Sequence, residues 1–484
     1  MTTPLSEITE IHASLSSTFL TSLSSSTKPN TTPSSKAGQY PVLSLPYRQH
    51  QLLQLARLVQ ENADALCHAL WLDGGEEGEG RRSYYLVRPI FFFMILFYVM
   101  KRTSVCSPWN YPITLTLQPL CGAIAAGCPA LIKPSEVVPT FSKLLAELVP
   151  KYLDPTAYRV ALGGVPEITR ILELKWAHIF YTGNGRVARI ISAAAAKHLT
   201  PMTLELGGKS PVIIDGANLG EEEVRVAARR IVWGKVNNAG QICVAPDYVL
   251  IQPSYIPAFI EACRAALESF FPNGALNSPD YGRIVSVAHF ARVKGLLGET
   301  KGRVVIGGGV LDGSEGLQEG ARARGVEPTV VLLDEATAAD DVLLQDELFA
   351  PILPIVPVAS VAAALAYVRA HEHPLVIYAF TESEDVKREV KAGTMSGSVV
   401  FNDTFNQLSV DEIPFGGVGE SGYGRQPLKW TFEEFVYLRS VLEVPFSEEP
   451  KFGGRYPPSS KESLDFFEGC LKVPIPSVEE LGGR

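Results

Sequence analysis

The chain has 484 residues, enough at ~150 residues per domain for about three domains, and 46% are hydrophobic against 20% charged, the balance of a protein that buries a large core. Its formal charge is −9, from 43 basic and 52 acidic residues with no concentrated basic stretch, which excludes a nucleic-acid partner gripped through its phosphates. Seven scattered cysteines without a C-x-x-C and eight histidines without an H-E-x-x-H argue against a disulfide framework and a zinc site, so a reducing, cytoplasmic setting and metal-free chemistry are expected.

The N-terminal MTTPLSEITE has neither a charged n-region nor an early apolar stretch, which argues against a secretory signal. Residues 1–46 read as an arm, flexible over 14–36, where Ser- and Thr-rich sequence buries too little apolar surface to offset ordering. Beyond it Leu52, Leu55, Ala56, Val59, Ala63, Leu66 and Leu70 recur at helical spacing and predict one amphipathic helix. After Asp73 comes an abrupt GGEEGEGRRS and then IFFFMILFYVM, 11 apolar residues at 90–100. That run is short of the ~20 residues that span a membrane, so burial is the preferred reading over membrane contact.

From Val105 onward β-branched runs at 130–132, 179–181, 211–214, 304–306 and 399–401 alternate with helical stretches such as 140–148 and 187–196. Alternation of this kind predicts βαβ units and an α/β fold with mainly parallel sheets. The last segment, from Phe446, is rich in Pro, Gly and charge and reads as an extended tail.

Three positions invite chemistry. Cys243 lies in NNAGQICVAPDYVL, between turn-forming sequence and a resuming strand. A lone cysteine is most often a small buried hydrophobe, but a sulfur on a loop can meet substrate as a thiolate. Glu205 sits between two leucines and before Gly207 and Gly208. It is either a partnered core carboxylate or a general base whose pKa is raised by its apolar flanks. Asn110, in PWNYP, is held between two prolines, where its amide is a rigid donor for a developing oxyanion or simply a turn residue.

PWNYP (108–112), IKPSE (132–136), FYTGN (180–184), LELGGKSP (204–211), GQIC (240–243), ELFAP (347–351) and PFGGVGESGYGR (414–425) occur in that order. With these motifs the chain resembles the aldehyde dehydrogenase superfamily, most closely its class 3 or fatty aldehyde branch in a fungal-type version. The resemblance implies a Rossmann-type cofactor domain, an α/β catalytic domain and oligomerisation segments. It divides the chain into an arm (1–46), an NAD(P)-binding domain (47–207, with 73–105 anomalous), a catalytic domain (208–400), a return segment that closes the active site and serves oligomerisation (401–445) and a tail (446–484). It implies Cys243 as nucleophile, Glu205 as general base and Asn110 as oxyanion donor. Trp109, Lys133, Ser135, Glu136, Thr182, Gly183, Asn184, Glu347 and Phe349 become the cofactor residues. Glu136 suits free ribose hydroxyls and so favours NAD, with NADP also accepted in this branch. The partners implied are a medium- or long-chain, aromatic or apocarotenoid aldehyde and a second copy of the chain.

The chain departs from the family in several places. Ala188 replaces a usual Gly, Asp411 stands where animal class 3 members have His, and the extra residues between Glu205 and Cys243, near 216–223, read as an added surface turn. Between Asp73 and Val105 the family has helices, an oligomerisation hairpin and the first strand of the cofactor fold. Here the composition is alien, as from translated intron or a misplaced exon junction, and the first sheet is expected to lose an interior strand. Two rival readings follow from that segment: an inactive remnant with a disrupted cofactor domain, and an enzyme attached to a membrane through residues 90–100.

Overall fold

Thr103–Cys106 (β1) is buried along its whole length, as a strand covered on both faces must be. In the computed structural model, which describes residues 2–26, 44–74, 102–311, 323–458 and 460–471, it lies inside a six-stranded sheet. The chain lays Ala130–Lys133 (β2) and Tyr158–Val160 (β3) on one side of it, then returns to place His178–Thr182 (β4) and Met202–Glu205 (β5) on the other. These five strands are parallel, and the reversal between β1 and β4 opens a crevice at their carboxyl ends. The expected loss of an interior strand does not occur: Thr103 pairs with Ala130 on one side and His178 on the other, so both inner edges are satisfied. Residues 75–101, with the apolar run at 90–100, lie outside the described residues.

Side chains alternate between two apolar layers, as the two-residue strand period requires. Val105, Ala130, Ile132 and Phe180 pack on the face covered by Leu45–Glu61, Ala63–Gly74, Pro112–Ala125 and Pro139–Tyr152. Leu131, Ile179 and Tyr181 pack on the opposite face, under Leu5–Ser26, Val165–Glu173 and Gly185–Ala196.

Two expectations for the N-terminal part are corrected. The arm is helical from Leu5 to Ser26, because Ile8, Ile11 and Leu15 form a stripe at helical spacing that is buried in the second layer. The stripe is fixed at its rim by hydrogen bonds from Arg170 to Thr9 and from Thr18 to the Thr156 carbonyl. The single helix expected over 52–70 is two, parted at Asn62, whose amide donates to the Leu58 carbonyl and the Tyr152 hydroxyl, both at 2.9 Å.

After β5 the chain crosses into a second sheet. Pro211–Ile214 (β6), Tyr248–Ile251 (β7) and Arg303–Ile306 (β8) come first, followed by a small antiparallel ladder of Val310–Leu311 (β9) and Gly325–Val326 (β10). Thr329–Leu332 (β11), Ile352–Pro357 (β12), Val376–Phe380 (β13) and Ser398–Phe401 (β14) complete a seven-stranded sheet in the order β14-β13-β6-β7-β12-β11-β8, parallel except at β8. The added turn near 216–223 is a 3-10 turn at Gly216–Asn218 leading into the helix Glu221–Val236. Gly422–Tyr423 (β15) then returns to the first sheet and pairs antiparallel with β5, setting Gly422 opposite Glu205.

Contacts divide the chain into Met1–Tyr437 and Leu438–Arg484. The second unit is not the extended tail expected: Phe446–Arg455 is 3-10 helical and Lys461–Leu471 is an α-helix, started by a hydrogen bond from Ser463 N to Ser460 Oγ at 3.2 Å. Among the described residues no helix is long and apolar enough to cross a membrane.

Candidate active site

The carboxyl edge of the first sheet gathers most of the predicted residues. β5 ends on Glu205 and β4 on Thr182, which face each other in register, and Gly183 N–H donates to the Glu205 carbonyl at 3.0 Å. A Cβ on Gly183 would stand 2.2 Å from the Tyr181 hydroxyl, so a side chain there would have to displace the Tyr181 ring. Asn184 caps the next helix, its side-chain oxygen accepting from Val187 N–H at 3.0 Å. Thr182 Oγ1 is buried without a hydrogen-bond partner among the described residues. Two strands across, β2 ends on Lys133, whose ammonium donates to Glu136 at 2.9 Å, while Ser135 Oγ accepts from Val137 N–H at 3.2 Å.

The Cys243 loop is strained on its approach. Asn238, Ala239 and Gly240 are all left-handed, with φ of 50°, 51° and 73°, a conformation that non-glycine residues avoid. Side-chain hydrogen bonds over-determine it. The Asn238 amide donates to the Asn110 carbonyl at 3.0 Å and to the Gln241 carbonyl at 3.1 Å. Gln241 donates to the Arg283 carbonyl at 3.0 Å and accepts from Val285 N–H at 2.9 Å. The PWNYP turn is thereby fastened to the cysteine loop, and Asn110 lines a small pocket with Asn238, Gln241 and Arg283.

A third loop carries Glu347 and Phe349. Lys209 pairs with Asp247 at 2.5 Å and donates to the Leu343 carbonyl, while Asp247 accepts from Leu348 N–H at 2.9 Å, so one buried ion pair holds the loop at both ends. Glu347 fills the space a side chain on Gly207 would need: a Cβ there would lie 2.2 Å from its carboxylate. Gly240 is likewise required, since its Cβ would meet the Ala350 carbonyl at 2.2 Å. Phe349 stands edge-on to the Trp109 ring, centroids 5.3 Å apart.

Beside these loops opens a cavity of about 490 Å³, its wall including Cys243, Val59, Ile113, Leu117, Val410 and Leu428. A half-buried cysteine lining a space of that size fits the capture of a small, largely apolar molecule. Residues 102–441 match the Aldehyde dehydrogenase family. The chain belongs to that family.

The chain is 43% identical over 355 residues to the dimeric NADP-preferring aldehyde dehydrogenase of Rattus norvegicus, covering 73% of this chain and 74% of that one. It is 40% identical to aldehyde dehydrogenase family 3 member A2 of Mus musculus over 76% of its own length and 72% of the relative's. Among solved structures, the substrate-bound AldH of Staphylococcus aureus superposes with a TM-score of 0.75 at 31% identity, over 89% of this chain and 96% of that one. The protein is thus an aldehyde dehydrogenase of the class 3 kind, an oxidoreductase acting on an aldehyde group.

In this aldehyde dehydrogenase the charges around the sulfur are crowded. Burial, then the carboxyls of Glu347 and Glu205, push the Cys243 thiol up to about 12, against the pull of backbone N–H groups at Cys243 and Val244. Burial raises Glu205 well above the usual carboxylate range, and Glu434 adds to it. Neither oxygen of Glu205 has a hydrogen-bond partner among the described residues. Burial and Asp247 raise Glu347 to about 8, although the Gly208 N–H, Lys209 and Lys235 oppose the shift.

Several contributors escaped the sequence reading. Asn238 and Gln241 fasten the loops, and their signal was the N-N-A-G-Q run itself, read only as turn-forming. Lys235 is buried beside the Asp247, Lys209 and Glu347 charges, and burial lowers it to about 8. Helical spacing placed it on the buried side of Glu221–Val236, where nothing local marks a lysine as a neighbour of the site.

Proposed function

We propose that the protein oxidises medium- or long-chain, aromatic or apocarotenoid aldehydes to carboxylates through a thioester on Cys243, with NAD or NADP as hydride acceptor. The observation that carries this reading is the position of the Cys243 sulfur, in the wall of an apolar cavity and within the electrostatic reach of Glu205 and Glu347. Support for a dinucleotide comes from the β4 turn: a glycine packed against the Tyr181 ring, a Thr182 hydroxyl without a partner among the described residues and a capped helix start together form a cradle for a pyrophosphate. Lys133 and Glu136 would hold the adenosine ribose, the carboxylate taking free hydroxyls and the ammonium a 2′-phosphate. Glu347 would take the second ribose, and Trp109 and Phe349 would flank it. When bound, the nicotinamide supplies the acceptor for the hydride.

The chain's own residues do the rest. The Cys243 thiolate adds to the aldehyde carbon, and the Asn110 amide and Cys243 N–H stabilise the resulting alkoxide. Loss of hydride leaves a thioester. Glu205 takes a proton from the attacking water, the carbonyl–sulfur bond breaks, and carboxylate and thiol are released. Apolar walls keep other water from the adduct. The relative named as dimeric, and the exposed Leu438, Val441, Leu442 and Phe446, support a homodimer.

Rapid-mixing kinetics with octanal test the assignment. Cys243→Ala abolishes NADH formation, whereas Glu205→Gln gives a stoichiometric burst of NADH followed by steady turnover slowed by about 10²-fold or more, since only thioester breakdown needs the base. A Glu205→Gln enzyme with full steady-state turnover removes that residue from the role.

A further inference from the structure

Two lysines stand among the charges around Glu347, and they are bonded very differently. Lys209 spends all three ammonium protons, on Asp247 Oδ1 at 2.5 Å, the Leu343 carbonyl at 2.9 Å and the Asp346 carbonyl at 3.0 Å. Lys235, on the helix Glu221–Val236, is 3% exposed, and its Nζ has no hydrogen-bond partner among the described residues. A buried ammonium without a partner is costly, and such groups are retained where their charge has a task. Two carboxyls attract it, Asp247 and Glu347. Asp247 has both oxygens engaged, Oδ1 by Lys209 and Oδ2 by Leu348 N–H. Glu347 accepts from Gly208 N–H, and a carboxylate offers about four acceptor sites, so it is the partner with capacity to spare.

We propose that Lys235 is a positioning residue for the cofactor: its ammonium stabilises Glu347 as the carboxylate that accepts from ribose hydroxyls. This rests on Glu347 being the ligand of the second ribose, as proposed above. Both hydroxyls of a ribose diol can donate to a carboxylate, whereas a neutral acid carries a proton on one of the oxygens that should accept. Charged and titratable groups face Glu347 from several elements. Asp247 and the Cys243 thiolate disfavour its ionisation, while Lys209, Lys235 and Arg292 favour it. Lys209 is already paired with Asp247, and Arg292 donates to the Leu348 carbonyl and also faces Asp247 and Asp346. Lys235 is thus the cation whose charge is least committed elsewhere. Burial sets both Glu347 and Lys235 to about 8, so the carboxyl ionises and the ammonium loses its charge over the same range of pH. The help that Lys235 gives is therefore greatest below about pH 8 and fades above it.

The test is calorimetry of NAD binding, without aldehyde, at pH 7.5 and pH 9.5. Lys235→Met, which keeps the length of the side chain and removes the charge, is expected to weaken NAD by about threefold or more at pH 7.5. At pH 9.5 the difference closes, because native Lys235 has lost its charge as well. In a Glu347→Gln background, where nothing is left to ionise, Lys235→Met causes no further loss at either pH. Lys235→Gln, also uncharged, must give the same pattern, and it decides the matter if the Met variant does not fold. A loss that is equal at both pH values, or that persists beside Glu347→Gln, marks a purely structural lysine and overturns the proposal while leaving the ribose reading intact. Native affinity in both Lys235 variants overturns it too. Glu347→Gln binding NAD as tightly as the native enzyme at both pH values removes the ribose reading and the proposal together.

Discussion

At the scale of single residues, a sulfur raised to about 12 is poorly nucleophilic at neutral pH, and its surroundings explain why. Burial disfavours the thiolate first, and two carboxyls add their repulsion. Replacing Glu347 by Gln removes one negative charge, so the thiol titrates lower and more thiolate is present at a given pH. Alkylation of cofactor-free Glu347→Gln by iodoacetamide at pH 9 is therefore expected to run about three- to tenfold faster than in the native enzyme. The gain shrinks below pH 8, where native Glu347 takes up its proton and the two proteins become electrostatically alike. Equal rates at pH 9 would remove Glu347 from the sulfur's neighbourhood. Cys243, Glu205 and Glu347 could be singled out in the sequence because their motifs surround them. The charge environment was not: Asp247, Lys209 and Lys235 reach the site from separate elements, and no spacing rule links them.

At the scale of elements, the strained 238–240 turn shows how loops distant in sequence are locked together. Gly240 satisfies two demands at once, a positive φ and a close approach by the Ala350 carbonyl. Gly240→Ala must push the Glu347 loop away from the Cys243 loop, and is expected to lower kcat by at least tenfold and raise KM for NAD, read from initial rates. The N-terminal helix makes a different kind of demand. Ile11 is 2% exposed, so Ile11→Ala is expected to cost about 2–4 kcal/mol, measured by urea unfolding. That helix was illegible because composition was weighed over the whole serine-rich stretch, whereas the buried stripe of Ile8, Ile11 and Leu15 lies at its start. The strands were easier: the run at 211–214 coincides with β6, and those at 130–132 and 304–306 fall short of β2 and β8 by one residue, since each is β-branched and bounded by turns.

At the scale of the whole molecule, the first sheet is continuous despite the unfamiliar sequence before it, because only four residues, Thr103–Cys106, are needed to bridge β2 and β4. That continuity gives no support to the inactive remnant, whose premise was a gap in the sheet. Sedimentation velocity is expected to show two chains per particle, and a monomer at micromolar concentration would refute the homodimer. Mainly parallel sheets follow from the alternation of strand and helix, so they were readable in advance, whereas the order of the strands was not. The place of β1 between β2 and β4 was not readable either, since its pairing partners are set by strands far along the chain.

The strip that returns to the first sheet has two duties. Its strand seals the outer edge of β5 opposite Glu205, and its flanking residues Phe415, Gln426 and Leu428 wall the cavity. Altering those walls therefore tugs on the backbone that carries Glu205. An insertion or deletion in this strip would thus shift Glu205 together with the pocket wall, whereas exchanging a single wall side chain would leave the strand pairing in place.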